Sequence, residues 1–436
     1  MSRPRRREPV TLDIDSLSHE GRGVGRSDGK TVFVHGALPG EQVVARVTRR
    51  HGRFDEAETL EVLRASPRRI TPQCAHFGVC GGCSLQHIDE DYQLEHKQAV
   101  LLELLAHHGQ VEPARIAAPV RGPQWGYRRK ARLGAKHVAK KGGVVVGFRE
   151  RASPYVTDCR SCDILDPRVA RELPALRGLL DGLSVSDRVP QIEIACSDDV
   201  AAIVVRHLAP LNDDDRAALS DFARDSGIEV HLQSGGLDTI TPLSPPATPL
   251  RYRVDDATLC FEPADFTQVN AAINEQMVAR ALHHLAPDGH ARVADLFCGI
   301  GNFTLPLARR AGRVVGVEGA AALVERARAN ALGNGLENCE FTVCDLSSDE
   351  AVASLELGRP SHLLLDPPRA GAAAVVAGLD FSGIERIVYV SCNPVTFARD
   401  AGVLVARHGY RLAETGILDM FPHTAHVESL SLFTRG

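Results

Sequence analysis

The sequence predicts an α/β protein with three parts: a small antiparallel β-barrel, an α+β middle region and a doubly wound parallel sheet at the C-terminal end. Residues 1–70 alternate apolar and polar positions in short runs that Gly-rich or Pro-Gly turns separate, as the strands of a small barrel do. From residue 270 onward, apolar stretches alternate with amphipathic helical stretches across short loops. Buried parallel strands joined by helices make a doubly wound sheet.

Length and composition are those of an ordinary globular protein. The 436 residues are 44% hydrophobic, which is enough for two or three domains. No run of eighteen apolar residues occurs, and the basic residues 3–7 are not followed by an apolar signal core. We therefore expect no membrane segment, no secretion signal and a cytoplasmic location. The formal net charge of −5 argues against a general polyanion binder.

Three runs predict strands of the N-terminal barrel: residues 10–14, 31–34 and 42–47. The segments GRGVGR at residues 21–26 and ALPGE at residues 37–41 resemble the RNA-binding TRAM domain. TRAM domains are OB-like barrels found on RNA-modifying enzymes. The resemblance implies an OB-like barrel over residues 1–70 that contacts RNA.

The middle region is predicted to be α+β and to span residues 71–265. A helical pattern starts near residue 94, and strands are predicted at residues 144–148, 191–196 and 201–206. The Pro-rich residues 241–249 are typical of a connecting loop. The C-terminal domain is therefore predicted to cover residues 266–436.

Five cysteines of the middle region form two groups along the chain: the triplet Cys74, Cys80 and Cys83, and the later pair Cys159 and Cys162. Four thiolates can hold one metal centre, and both zinc and a [4Fe–4S] cluster are chemically allowed. A compact triplet with one distant cysteine is common among iron-sulfur proteins, whereas paired Cys-x2-Cys knuckles favour zinc. The distribution is typical of a metal site in a reducing compartment, not of a disulfide framework.

A basic stretch at residues 121–141 holds eight Lys or Arg, no acid, and both Trp125 and Tyr127. Cations contact phosphates and aromatic rings stack on bases, so the stretch predicts an RNA-binding stripe. A solvated surface segment with a half-buried tryptophan is the alternative.

Five apolar strands are predicted in the C-terminal domain, at residues 293–297, 314–317, 340–343, 363–365 and 387–390. Residues 427–433 follow residues 410–418 after a short loop, and we expect this last strand to run antiparallel at the edge of the sheet. Ligands of open α/β sheets bind outside the carboxyl ends of the strands, so we expect the binding residues to follow these strands.

The loop after the first of these strands, DLFCGIGNF at residues 295–303, carries Gly-x-Gly together with Phe297 and Asn302. Glycines at a helix N-terminus let the backbone approach a ligand. The next strand ends in Glu318, which can accept both ribose hydroxyls, and the third ends in Asp345, within reach of an adenine amino group. This pattern is that of S-adenosylmethionine-dependent methyltransferases with Rossmann-like sheets, and NAD binding is the alternative.

Two further segments carry a resemblance to one family. DPPRAG at residues 366–371 ends the fourth strand and resembles the motif of RNA uracil-C5 methyltransferases, not the Asn-Pro-Pro-Tyr of enzymes that methylate amino groups. FEPADFTQVN at residues 261–270 resembles the segment that enters the catalytic domain of the same family. The resemblance implies that Gln268 and Asp366 contact the methyl donor, S-adenosylmethionine.

Cys392, in the segment SCNP, is predicted to be the nucleophile of such an enzyme. Carbon 5 of uracil reacts poorly, and addition of a thiolate at carbon 6 raises its electron density. The thiol lies where the fifth strand meets a helix, so we expect the helix dipole to lower its pKa. The other cysteines fit the role of small buried hydrophobes, and they are Cys196, Cys260, Cys298, Cys339 and Cys344.

DMFPHTAHVE at residues 419–428 resembles the closing motif of the same family. The resemblance implies that Glu428 is the general base that removes the proton from carbon 5. His423 and His426 are alternatives for this proton transfer.

The resemblance extends to the cysteines. Bacterial 23S rRNA members of the family carry a similar triplet and a [4Fe–4S] cluster, and their fourth ligand precedes an Ile-Leu pair, which matches Cys162. The resemblance implies that the cluster ligands are Cys74, Cys80, Cys83 and Cys162. Cys159 stays an alternative to Cys162. GYRRKAR at residues 126–132 also resembles the family's basic strand, which favours RNA contact.

The sequence thus predicts an enzyme that forms 5-methyluridine in 23S rRNA, with the target uridine flipped out of a loop. The barrel and the cluster together point to rRNA, because related tRNA enzymes generally lack both. We expect no obligate protein partner. The alternatives are a tRNA uracil-C5 methyltransferase, a non-catalytic RNA-binding iron-sulfur redox sensor, and a radical methylase, against which the cysteine spacing speaks.

Overall fold

The structure is a computed structural model that describes residues 9–435. The basic residues 3–7 noted above lie outside the described residues. No helix among residues 9–435 is both long enough and apolar enough to cross a membrane.

The N-terminal barrel consists of five strands, β1 (Val10–Leu17), β2 (Gly23–Ser27), β3 (Lys30–His35), β4 (Gln42–Arg50) and β5 (Phe54–Arg64). They close in the order β1-β2-β3-β5-β4. Leu12 and Ile14 of β1 are buried while Thr11 and Asp13 are exposed, because successive side chains of a strand point to opposite faces. The predicted barrel is confirmed, but it is not wholly antiparallel. β5 closes it by pairing parallel to β3 through residues 54–58.

The middle region begins with α1 (Glu90–Leu104) and continues through β6 (Lys130–Val138), β7 (Gly143–Gly147), α2 (Pro167–Ala170), α3 (Leu173–Gly182), β8 (Gln191–Cys196), β9 (Ala201–Arg206), α4 (Asp213–Ser226), β10 (Glu229–Gln233) and β11 (Ile240–Pro242). The six strands form one sheet in the order β11-β10-β9-β8-β6-β7. Its core includes apolar side chains of α3 and α4. The loop expected at residues 241–249 begins inside β11.

A hairpin of β12 (Leu250–Val254) and β13 (Ala257–Phe261) follows. The remaining elements are α5 (Ala271–Leu285), β14 (Arg292–Leu296), α6 (Thr304–Ala308), β15 (Arg313–Glu318), α7 (Ala321–Gly333), β16 (Cys339–Val343), α8 (Asp349–Ala353), β17 (His362–Leu365), α9 (Ala373–Gly378), β18 (Arg386–Ser391), α10 (Pro394–Ala406), β19 (Tyr410–Leu418) and β20 (Glu428–Arg435).

The C-terminal sheet has the order β16-β15-β14-β17-β18-β20-β19. Its first five strands run parallel, and the four strands β15, β14, β17 and β18 are buried on both faces because helices cover both sides, whereas β16 at the edge is largely exposed. β20 is antiparallel, as expected, but it is not at the edge. It lies between β18 and β19, and β19 forms the edge.

Two segments ahead of residue 265 pack on the C-terminal sheet. Leu94 and Leu101 of α1 share a core with Tyr389 and Phe397 of the C-terminal part. The β12-β13 hairpin joins the core on the opposite face of the sheet. The domain limits at residues 70 and 265 stay a prediction.

Candidate active site

Cys392 lies at the carboxyl end of β18, just before α10 begins. The Asn393 side chain accepts a hydrogen bond from the N–H of Val395 and caps the helix. Cys392 is half-buried and lines a cleft of about 530 Å³. The thiol is therefore fixed by a strand end and a helix start, yet it can be reached from the cleft.

Three regions of the chain line this cleft. The barrel contributes His19, the middle region contributes Gly82 and Arg128, and the C-terminal part contributes His426. Sites for small ligands usually enclose about 300–1,000 Å³, so an unstacked nucleotide fits. The cleft therefore combines surfaces from all three parts of the chain around one thiol.

Strand register brings Glu428 beside Cys392. β20 runs antiparallel to β18 and pairs Ser429 with Ser391, so Glu428 and Cys392 are neighbours at the same end of the sheet. Glu428 is 4% exposed. Burial, followed by the charge of Asp366, raises the pKa of Glu428 to about 8. A carboxyl group of this pKa can exchange a proton near neutral pH.

The carboxyl groups also act on the thiol. Asp366 directly follows β17, and burial, with a contribution from Asp295, raises its pKa to about 7. Burial, followed by the charges of Glu428 and Asp366, raises the pKa of Cys392 to about 11. The expectation that the helix dipole lowers the pKa of Cys392 is wrong for the free protein. Desolvation and two nearby carboxyl groups outweigh the helix N-terminus.

The segment after Asp366 is tied to the start of α10. The carbonyl oxygen of Arg369 accepts a hydrogen bond from the side-chain amide of Asn393 at 2.8 Å. Gly371 has φ +79°, and a Cβ there would lie 2.7 Å from a carboxylate oxygen of Asp400. Only glycine fits this close approach, which keeps Asp366 in a fixed position relative to the helix.

The loop after β14 bends back toward β15. Phe297 has φ +67° and Gly301 has φ +99°. The Glu318 carboxylate accepts hydrogen bonds from the N–H of Gly299 at 3.2 Å and of Ala320 at 3.0 Å. The loop and the carboxylate that is expected to accept ribose hydroxyls therefore meet at one edge of the sheet.

Asn302 belongs to this loop, and Gln268 lines a pocket next to the partners of Asn302. Asn302 exchanges two hydrogen bonds of 2.9 Å with Asn274 and accepts a third from the Tyr252 hydroxyl at 3.0 Å. Gln268 lines a small pocket with Tyr252 and Asn274. The amide of Asn302 is thus engaged in holding the scaffold, while Gln268 borders open space.

Asp345 follows β16 and is exposed. Its carboxylate accepts hydrogen bonds from the hydroxyl and the N–H of Ser347, at 2.6 and 3.0 Å, and these bonds lower its pKa. Glu318 ends β15, Asp345 follows β16 and Asp366 follows β17, so the three carboxylates lie at the same edge of the sheet, with β14 between β15 and β17. Carboxylates suit a ligand with ribose hydroxyls, an amino group and a positive charge, so the edge fits S-adenosylmethionine.

Five of the seven cysteines between residues 71 and 265 surround one cavity. All five of them line it, namely Cys74, Cys80, Cys83, Cys159 and Cys162, with Phe77, Phe148 and Ile164 as apolar neighbours. Burial raises the pKa of Cys83 and of Cys162 to about 12. Thiols in such surroundings become thiolates when a cation binds them.

The donor set of this cysteine cavity is compatible with a [4Fe–4S] cluster. No three His, Cys, Asp or Glu side chains of residues 9–435 converge on the position of one metal ion. A [4Fe–4S] cluster distributes four cysteine ligands over its iron atoms, so it needs thiols around a cavity and not around a point. The cavity and its four to five thiols meet that requirement.

The choice between Cys159 and Cys162 stays a prediction. Cys159 is 4% exposed, and a hydrogen bond between its thiol and Cys80 lowers the pKa of Cys80 and raises that of Cys159. Cys162 lines the same cavity.

Among the five cysteines interpreted as core residues, Cys260 is exposed on β13, so its assignment to the core is wrong.

The basic stretch at residues 121–141 is less free than its composition suggests. Arg129 pairs with Asp198, and Lys130 and Arg132 pair with Glu193. Arg128 lines the cleft, and its guanidinium lies over two aromatic rings, 5.7 Å from the centroid of Phe148 and 5.8 Å from that of Phe421. Acids distant in sequence neutralise part of the stripe, and one arginine points to the cleft.

His423, the alternative base, is enclosed. It is 2% exposed, stacks on Trp125 at 4.0 Å between ring centroids, and has its pKa lowered to about 4, chiefly by burial. His426 borders the cleft, and burial likewise lowers its pKa to about 4. Of the three candidate bases, Glu428 alone has its pKa raised toward neutrality, while the pKa of both histidines is lowered.

Sequence reasoning missed the side chains that hold the segment between β19 and β20. Gln93 and Lys97 of α1 are buried and form hydrogen bonds with this segment. The available signal was two polar residues four positions apart on the helix face that also carries Leu94 and Leu101.

Comparisons with known proteins show to which family the chain is similar. The family model described as tRNA (Uracil-5-)-methyltransferase matches residues 93–436, and the TRAM domain model matches residues 4–60. The chain is 54% identical to the 23S rRNA (uracil(1939)-C(5))-methyltransferase RlmD of Alkalilimnicola ehrlichii, covering 100% of this chain and 99% of that protein. It is 49% identical to the RlmD of Stenotrophomonas maltophilia, with 98% of each chain covered.

A solved structure is similar over nearly the whole chain. It is the Pyrococcus abyssi tRNA (uracil-54, C5)-methyltransferase in complex with S-adenosyl-L-homocysteine, with 25% identity and a TM-score of 0.76. The match covers 97% of this chain and 99% of that one. The match includes the region of the barrel, so the barrel by itself does not separate rRNA enzymes from tRNA enzymes, and our expectation rests on the barrel together with the cluster.

Proposed function

The chain belongs to the tRNA (uracil-5-)-methyltransferase family, and from that premise we propose that it methylates carbon 5 of a uridine in 23S rRNA. It is a methyltransferase that uses S-adenosylmethionine. The RNA class rests on the identity of 49–54% to proteins named as 23S rRNA enzymes over almost the full chain. The observation that carries the chemistry is the pair of Cys392 and Glu428 at the end of β18 and β20.

Cys392 starts the reaction. Its sulfur forms a bond to carbon 6 of the uracil, and the electrons of the carbon 5–carbon 6 double bond move toward oxygen 4. Carbon 5 then attacks the methyl carbon, and the methyl–sulfur bond breaks with its electron pair left on the sulfur. S-adenosylmethionine supplies this methyl group on a positively charged sulfur.

Glu428 completes the reaction. It takes the proton from carbon 5, the double bond forms again, and the bond between Cys392 and carbon 6 breaks. With a pKa of about 8 in the free protein, Glu428 is mostly protonated at neutral pH. The positively charged sulfur of S-adenosylmethionine would favour the ionised forms of Asp366, Cys392 and Glu428. A reactive thiolate at Cys392 and a basic carboxylate at Glu428 therefore become accessible when the methyl donor is bound.

The residues at the carboxyl edge of the sheet bind the methyl donor. In this proposal Glu318 accepts ribose hydroxyls, Asp345 lies toward the adenine, and Asp366 lies toward the reacting end. Gln268, Phe297 and Asn302 border the donor, with Asn302 acting through the scaffold that it holds with Asn274.

A [4Fe–4S] cluster fits the cysteine cavity, and the proposed ligands are Cys74, Cys80, Cys83 and Cys162. The iron ions would keep these thiols deprotonated and would join Cys162 to the distant triplet.

The target uridine is proposed to leave an RNA loop and enter the cleft beside Cys392. Because rRNA is the substrate, we also propose that the protein works in the cytoplasm.

The test is methylation of separate RNAs with radiolabelled S-adenosylmethionine. A 23S rRNA transcript should become labelled as 5-methyluridine, and its position can be mapped, beginning with the uridine that the relatives' names specify. Cys392→Ala should reduce the rate by at least about a thousandfold, as removal of a nucleophile does. The control Cys260→Ser, at an exposed thiol, should keep the parental rate.

Label in tRNA alone would overturn the rRNA assignment and favour the second candidate, a tRNA enzyme. That candidate is supported by the similarity to the Pyrococcus abyssi enzyme along the whole chain. Full activity in Cys392→Ala would refute the role of Cys392.

A further inference from the structure

Residues 419–427, here called the closing loop, connect β19 to Glu428. They contain no helix or strand, so their shape depends on contacts with other segments. The closing loop also supplies one wall of the cleft, through Phe421, Thr424, Ala425, His426 and Val427. The position of Glu428 therefore depends on what holds this loop.

A buried ion pair holds the beginning of the loop. The ammonium of Lys97 donates hydrogen bonds to the Asp419 carboxylate at 2.7 Å and to the carbonyl oxygen of Phe421 at 3.1 Å. Lys97 is 1% exposed and Asp419 is 3% exposed. Because separating such a pair leaves a buried charge without a partner, the contact strongly favours one position of the loop.

A second contact holds the middle of the loop. Gln93, one helical turn before Lys97, accepts a hydrogen bond from the N–H of His423 at 3.0 Å and donates one to the carbonyl oxygen of Ile88 at 2.9 Å. His423 has φ +64°, a conformation that non-glycine residues rarely adopt. Such a residue keeps this conformation only where its neighbours fix it.

A third contact comes from the segment that follows Cys83. The N–H groups of Ser84 and Leu85 both donate to the carbonyl oxygen of His423 at 2.9 Å. The Ser84 hydroxyl accepts a hydrogen bond from the N–H of Ala425 at 3.1 Å. Since Cys83 lines the cysteine cavity, one short segment contacts both that cavity and the closing loop.

We propose that Gln93, Lys97 and Ser84 are positioning residues that hold the closing loop so that Glu428 stays beside Cys392. Ser84 thereby links the cysteine cavity to the reaction. The inference rests on the proposed role of Glu428 as the base.

The consequence is specific to one step of the reaction. Cys392 is held by β18 and by the start of α10, and among residues 9–435 the side chains of Gln93, Lys97 and Ser84 form no hydrogen bond with either element. Loosening the closing loop therefore slows proton removal more than it slows addition of the thiol.

The chain contains its own reporter of the loop. Its single tryptophan, Trp125, stacks on the ring of His423 at 4.0 Å between centroids and 26° between planes. The fluorescence of Trp125 therefore changes when the closing loop moves, in the full-length protein and without RNA.

The test compares Gln93→Leu and Ser84→Ala with the matched control Gln98→Leu. Gln98 lies on the same helix, and its side-chain oxygen has no hydrogen-bond partner among residues 9–435. In both test variants the ratio of methylated covalent protein–RNA adduct to released product should rise about tenfold, and Trp125 should emit at longer wavelength and be quenched more readily by acrylamide. The control should match the parent in all three measurements.

Ser84→Ala removes one hydroxyl and keeps the backbone contacts. It therefore tests the positioning role even if circular dichroism shows that Gln93→Leu is poorly folded. An unchanged adduct ratio with unchanged Trp125 emission in folded Ser84→Ala and Gln93→Leu would overturn the positioning role. A parent protein that forms neither adduct nor methylated RNA contradicts the proposed function instead, and the fluorescence comparison then decides the positioning role alone.

Discussion

The two groups of cysteines in this protein differ in what surrounds them. In the cleft, Cys392 stands alone beside carboxyl groups, and burial together with their charge raises its pKa to about 11. In the cavity, five thiols face one another, and burial raises the pKa of Cys83 and Cys162 to about 12. A single thiol with a carboxyl neighbour suits addition to carbon. Several enclosed thiols suit a shared cation, because positive charge is required to hold several thiolates together.

The largest expected effect separates the cleft from the cavity by chemistry. Glu428→Gln keeps the size of the side chain and removes the base, so thiol addition and methyl transfer continue while proton removal stops. We expect turnover to fall by roughly a hundredfold to ten-thousandfold. A covalent adduct of protein and methylated RNA should accumulate on denaturing gels. An inactive variant without adduct would show that Glu428 acts before methyl transfer, and His426 would then be the next base to test.

A second effect separates the cysteines within the cavity. Cys162→Ser should lose most of the iron and acid-labile sulfide of the purified protein, because serine is a poor ligand for iron-sulfur clusters. Cys159→Ser should keep both, together with the visible absorption of the cluster. The reverse result would make Cys159 the fourth ligand. Zinc in place of iron in the parent protein would refute the cluster.

The smallest expected effect concerns the thiol of the cleft. A pKa of about 11 means that the alkylation rate of Cys392 by iodoacetamide, followed by mass spectrometry of its peptide, keeps rising with pH beyond pH 9. Above pH 8 the ionised Glu428 repels the thiolate, so Glu428→Gln should lower the pKa of Cys392 and speed alkylation at pH 9 by about tenfold or less. The control Glu385→Gln, at an exposed carboxylate, should leave the rate unchanged. A rate that levels off near pH 8 in the parent would contradict the raised pKa.

Much of the fold follows from local pattern. The five parallel strands of the C-terminal sheet lie within one residue of where apolar runs predict them, as with β18, predicted at residues 387–390 and observed at Arg386–Ser391. The barrel follows from alternation in the same way. Two predictions of strand pairing were wrong: a wholly antiparallel barrel and an edge position for the last strand. The parallel contact of β3 with β5 and the interior place of β20 both depend on strands distant in sequence.

The electrostatics depended on contacts that the sequence does not display. The dipole of α10 was expected to lower the pKa of Cys392, but Glu428 and Asp366 are its neighbours only after β17, β18 and β20 have paired. The basic stretch was predicted to bind RNA, and the sequence did not show that Asp198 and Glu193 pair with part of it once the middle sheet has folded.

The order of strands and helices, the family motifs, and the residue types available for thiol, base and ligand chemistry can all be read from the amino-acid chain before its fold is known. In contrast, Glu428 comes to lie beside Cys392, and five cysteines come to line one cavity, only in the folded protein. The same holds for the contacts of Gln93 and Lys97 with the closing loop. The physical reason is that hydrophobic periodicity is a local property, whereas burial and charge at a site are set by segments that meet only when the chain has folded.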